Sequence, residues 1–213
     1  MTRRATRLPA LAAVLALALA GCSIVGPTAE VQIFAPRTAI TADPAWPAVD
    51  WQLSVSTPDT HQLLDSTRIA VRPAPDRLQT YKGARWADSA PELLQTALVQ
   101  AFEDSGRIAA VGRFGGARGD FGLFTELRAF ETVYTGGRPE VVVELQARLV
   151  ALRGHGGVTA KRFRVVVPSD GEQIEPVVAA FGQAMTQLSQ EVVGWTLVEG
   201  QRVVTAKEES AGK

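Results

Sequence analysis

The chain has 213 residues, with 22 Lys+Arg against 22 Asp+Glu, 46% hydrophobic residues and a single cysteine. That length gives one domain with a real core, and one thiol excludes a disulfide within the chain. A balanced charge argues against the broad basic surface that nucleic acid requires.

The first segment is an export signal. Arg3, Arg4 and Arg7 precede an apolar run from Leu8 to Ala20, and Leu19-Ala20-Gly21-Cys22 closes it. A basic start, a short apolar stretch and small residues at the cut define a secretory leader, and the run is too short for a spanning helix, which needs about 20 apolar residues. A cysteine directly after Leu-Ala-Gly is a bacterial lipobox. Cleavage falls between Gly21 and Cys22, and the Cys22 thiol takes a diacylglycerol, usually with a further acyl chain on the new amino group. Several chains anchor firmly, at about 0.8 kcal/mol per buried CH₂. Arg3-Arg4 lacks the following residues of a twin-arginine signal. Removing residues 1–21 leaves 19 basic residues against 22 acids, so the mature protein is slightly acidic. Ser23 is not the Asp that retains lipoproteins at the inner membrane in enteric-type bacteria, so the expected location is the inner leaflet of the outer membrane, with the domain in the periplasm.

Residues 22–30 read as an acylated tether and 31–205 as the domain. Val31 to Ala35 suits a first strand, and Arg37 to Asp50, with Pro44 and Pro47, a loop. Trp51, Leu53 and Val55 alternate as one face of a strand from Trp51 to Ser56. His61 to Thr67 connects to a strand from Arg68 to Arg72, closed by Pro73 and Pro75, with a brief extended piece from Arg77 to Tyr81. Ser89 and Glu92 have the spacing of a capping box, Pro91 fits a first turn, and Leu94, Leu98 and Ala101, with Ala97 and Phe102 beside them, form an apolar helical stripe. Gly106 ends that helix, and Ile108 to Val111 is a short strand.

The second half reads as an antiparallel meander. Phe121, Leu123, Thr125, Leu127 and Ala129 share one face of a strand, Gly136-Gly137 turns the chain, and Val141, Val143, Leu145, Ala147 and Leu149 alternate against Glu144, Gln146 and Arg148. Gly154, Gly156 and Gly157 make the next turn, before a strand with Phe163, Val165 and Val167 inward. A second helix opens near Glu175-Pro176, carries Val177, Phe181, Met185, Leu188 and Val192, and ends at Gly194. Residues 206–213 read as a flexible tail. The expectation is an α+β single domain: a largely antiparallel sheet with two helices packed on one face.

No catalytic, metal or cofactor constellation emerges. His61 and His155 lie in loops without matching ligand spacing, Glu103-Asp104 is solvated charge at a helix end, and the glycines from Gly112 to Gly122 lack a P-loop ending and lead into a strand. Tyr81, Arg85 and Trp86 are the candidate interface; the competing reading packs Trp86 under the first helix as core. These observations describe a tethered binding or scaffolding domain.

The residues Arg68-Ile69-Ala70-Val71-Arg72-Pro73, Tyr81, Ala84-Arg85-Trp86-Ala87-Asp88 and Ala90-Pro91 form an ordered pattern. It continues through Leu94, Ala101-Phe102-Glu103, Ser105-Gly106, Arg128-Ala129-Phe130-Glu131, Ala180-Phe181 and Trp195. From about Trp51 to Leu197 this resembles the ABC-type transport auxiliary lipoprotein family, which includes the paraquat-inducible protein C type. The resemblance implies an accessory of a transport system built on mammalian-cell-entry (MCE) domains, in which a permease and ATPase work with a periplasmic MCE protein that carries lipids or other apolar molecules. Partners would then be the MCE protein with its permease and ATPase, the membrane through the acyl anchor, and further copies of the chain through free strand edges, with no nucleic acid. The alternative is a regulatory or structural envelope lipoprotein that binds a cell-wall synthase or an outer-membrane assembly. A lipid carrier with its own cavity is a third reading.

Overall fold

A computed structural model describes residues 30–116, 119–153 and 157–211; the leader, Cys22 and His155 lie outside them. Ten elements follow one another: β1 (Gln32–Phe34), β2 (Val49–Val55), β3 (Arg68–Ala74), β4 (Arg77–Trp86), α1 (Ala90–Ser105), β5 (Ile108–Arg113), β6 (Phe121–Thr135), β7 (Arg138–Ala151), β8 (Val158–Pro168) and α2 (Ile174–Ala211). Residues 32–213 form one compact unit that holds all ten. The elements share one buried apolar cluster, so this part carries its own core.

The architecture is α+β, but the sheet is mixed and not largely antiparallel. Its eight strands run β1-β4-β3-β6-β2-β5, with β7 on β6 and β8 on β7. The meander expected for β6, β7 and β8 is present, and β3 and β4 are antiparallel across a tight turn. The pairs β1–β4, β2–β5, β2–β6 and β3–β6 are parallel. Short turns force antiparallel neighbours, whereas connections as long as the one through α1 permit parallel ones. Periodicity along each strand carries no record of that choice.

β6 hydrogen-bonds along both edges. One edge pairs with β7 throughout. The other pairs first with β2 and later with β3. Between them the β2–β3 connection continues the ladder: the Asp59 N–H donates to Thr125 O at 2.9 Å, and the Leu127 N–H donates to Asp59 O at 2.8 Å. The Thr60 hydroxyl donates to Leu127 O at 2.7 Å. Opposite β7, β6 advances from Leu127 to Ala129 while β7 advances only from Leu145 to Glu144. Arg128 is therefore an extra residue, a bulge that reverses the strand's phase. Phe130 and Thr132 enter the core, and Ala129, expected inside, does not.

α1 begins and ends where expected, with Ser89 at its N-cap and Gly106 left-handed at φ 59°. The capping box does not form. Ser89 makes no side-chain cap, and the Glu92 carboxylate instead accepts from Arg113 at 2.8 Å, tying α1 to β5. α1 packs on β5, β2 and α2, and α2 packs on β7 and β8.

Gly194 does not end α2, which continues through Ala211 across most of the expected tail. A Cβ on Gly194 would stand 2.6 Å from the Trp46 indole nitrogen, and one on Gly200 would stand 2.5 Å from a Trp51 ring carbon. These glycines are gaps that admit two indoles, not helix stops. Alanine gains about 1 kcal/mol over glycine in a helix interior, but overpacking costs about 1–3 kcal/mol, and both ring contacts are far below van der Waals distance. Gly200→Ala is expected to lower stability despite its better propensity, read as a lower urea midpoint at unchanged slope; a higher midpoint would mean that Trp51 yields freely.

Candidate functional site

The segment from Tyr81 to Trp86 in β4 divides between the two faces of the sheet. Trp86 is 1% exposed. Its ring stands edge-on to Phe130 at 5.8 Å and to Phe181 at 5.0 Å, and Phe130 and Phe181 lie 4.8 Å apart. This three-ring cluster ties β4, β6 and α2 together, with the ring partners of Trp86 on β6 and on the second helix. Edge-to-face rings add about 0.5–1.5 kcal/mol per pair beyond their burial.

Tyr81 is half-buried against the same core. Its hydroxyl is buried and lacks a well-formed hydrogen bond, as does that of Thr132. Burial is the main cause that pushes the Tyr81 phenol up to about 12; Thr132 acts against the shift, and Tyr134 and Glu172 add to it. Arg85 is exposed. β4 reaches this division through an irregularity: from the Ala70–Thr80 pair to the Arg68–Arg85 pair, β4 spends more residues than β3, with Gly83 at φ 68° inside the excess. The structure thus brings Tyr81 and Trp86 to the core and sends Arg85 to the surface.

At another margin of the sheet lie two hollows that the sequence did not announce. One, of about 470 Å³, is lined by Phe114, Gly115, Gly116, Leu152 and Arg153 among others. Phe114 is half-exposed and packs on Phe124 at 5.1 Å. The second, of about 430 Å³, is lined by Trp51, Phe121, Val203 and Val204, with Arg153 and Lys207 also in its wall. Arg153 borders both and pairs with Asp120 at 3.2 Å. Asp120 also accepts from the Gln52 N–H at 3.0 Å, which fixes the start of β6 to β2. The aromatics that flank the glycine run, Phe114 and Phe121, were the available signal.

Metal and phosphate sites are the other possibilities among the described residues. No group of three His, Cys, Asp or Glu there could hold a metal. His61 is exposed in a turn. The described glycines after β5 form a turn, with Gly115 at φ 96°, and lead into β6.

The family model of the ABC-type transport auxiliary lipoprotein component matches residues 32–193. The chain belongs to that family. An uncharacterized protein of Bradyrhizobium diazoefficiens, bll6063, is 30% identical over 165 residues, 76% of this chain; the match spans only 44% of that longer relative. The crystal structure of XCC0632 from Xanthomonas campestris, of family DUF330, is 44% identical with a TM-score of 0.77, and the match covers 81% of this chain and 98% of that one. A further crystal structure, of an uncharacterized protein, has a TM-score of 0.59 at 14% identity over 77% of this chain and 97% of its own, and shows the fold alone. The family is that of a transport auxiliary lipoprotein component and is not a known enzyme family. No helix among the described residues is long and apolar enough to cross a membrane.

Two measurements check this site. Trp86→Ala is expected to cost about 3–5 kcal/mol, as large aromatic truncations in cores do; unchanged stability would remove Trp86 from the core. The chain has two tyrosines, and a spectrophotometric titration is expected to show a late phenol at about 12 that Tyr81→Phe abolishes. Because the folded value lies above the ordinary 10.0, the contribution of this proton to stability is complete below pH 10 and is lost as pH rises towards 12.

Proposed function

We propose that this protein is a lipid-anchored accessory of an MCE-type ABC transport system, docking the periplasmic MCE assembly at the inner leaflet of the outer membrane for the passage of lipids or other apolar molecules. The observation that carries this reading is the family match over residues 32–193 behind a lipobox at Cys22. The partners are the MCE-domain protein and, through it, the permease and ATPase.

The physical logic is effective concentration. An acyl anchor at Cys22 confines the domain to a surface, so a weak contact with a partner that spans the periplasm is still well occupied. Two features suit such contacts. The hollows around Arg153 combine apolar walls with a few charged groups. β8 pairs only with β7 among the described strands, which leaves its other edge to accept a strand from a partner or from a second copy.

Affinity purification from gently solubilised membranes, with a C-terminal tag and mass spectrometry of everything retained, tests the reading. The expected result is an MCE protein with its permease and ATPase; a cell-wall synthase or a barrel protein in their place overturns it. Cys22→Ala is expected to leave the domain folded, release it from the membrane and fail to complement a deletion strain. A soluble variant that complements fully would remove the anchor from the mechanism.

A further inference from the structure

The strands β1, β3 and β4 carry Arg68, Arg72, Arg77, Lys82 and Arg85 and not one acidic residue. Acids stand in the connections beside them, at Asp65, Asp76 and Asp88, and Asp76 acts on Arg72, so the excess of base belongs to the strands themselves. Arg72 is neutralised by Glu131 at 2.8 Å. Arg68 and Arg85 are exposed and have no ion-pair partner among the described residues, yet they stand directly opposite each other as cross-strand partners. The next residue in that row is Ile33, paired with Arg85 and 67% exposed. Directly paired residues project to the same face of a sheet, so Arg68, Arg85 and Ile33 form one line across three strands. Opposed like charges weaken a sheet, and an exposed isoleucine adds little to a core. Folding alone therefore accounts poorly for the side chains of this row.

β1 is also the element through which the chain enters the domain, since Gln32 follows Cys22 by ten residues. Ten residues reach at most about 35 Å, which is the farthest β1 can stand from a surface that holds the anchor. We infer that the Arg68–Arg85–Ile33 row rests on the anionic phospholipid surface of the anchoring membrane, the guanidinium groups on lipid phosphates and Ile33 in the headgroup layer. This rests on the reading of Cys22 as acylated. It gives the domain a fixed orientation, with the corner at Arg85 towards the lipid.

The test uses residues 30–213 made without leader or acyl chain, sedimented with vesicles of phosphatidylcholine alone or of equal parts phosphatidylcholine and phosphatidylglycerol. Binding is expected only with phosphatidylglycerol and is expected to fall with salt, whose screening length is about 10 Å at 0.1 M. Combining Arg68→Gln with Arg85→Gln is expected to weaken binding by roughly thirtyfold, about fivefold for each basic residue at an anionic surface. Its melting temperature should be equal to or above the parent's, because a repulsion is removed. Arg162→Gln with Arg164→Gln, in β8, is expected to leave binding unchanged. Equal binding to both vesicles, or equal losses from the two double variants, overturns the inference. Mass spectrometry of Cys22 from cells separates the two readings. An acylated Cys22 without phosphatidylglycerol preference sinks this inference alone, and an unacylated Cys22 sinks the anchor as well.

Discussion

The structure depends on β6 being hydrogen-bonded along both edges. A strand used this way obliges β2, the β2–β3 connection and β3 to line up along one side while β7 holds the other. This arrangement joins the N-terminal strands, which arrive by long connections, to a local C-terminal meander. The bulge at Arg128 completes it. Without the extra residue, Phe130 would face away from Trp86 and Phe181, and β4, β6 and α2 would lose their common aromatic contact.

α2 closes the core from the other end of the chain. Its apolar stripe is fully buried, and two of its glycines, Gly194 and Gly200, receive Trp46 and Trp51 from the segment around β2. The last and the early parts of the domain are thereby locked by shape and not by charge. The described ion pairs are mostly solvent-exposed, where each contributes about 0–1 kcal/mol. The more buried Arg72–Glu131 pair joins β3 to β6, where its hydrogen bonds offset part of the desolvation.

The exposed features are a basic corner, two hollows at Arg153 and a free strand edge. Each is a surface open to contact. The family assignment places the chain with a transport auxiliary lipoprotein component.

The sequence by itself determined the strands with strict alternation, such as Val141 to Leu149, and the helical stripes of α1 and α2, because local burial imposes periods of two and 3.6. It also determined the family, through an ordered set of residues along the chain. Only the tertiary structure decided strand direction, since parallel and antiparallel neighbours bury the same alternating face. Only it decided the phase of β6 after Arg128, since an extra residue is visible only against its partner strand. Gly194 read as a helix stop because a glycine's missing side chain shows its purpose only when Trp46 occupies the gap. The division of Tyr81, Arg85 and Trp86 between core and surface depended in the same way on the irregular pairing of β4 with β3. Side chains six residues apart or fewer take opposite roles there because the backbone between them changes phase.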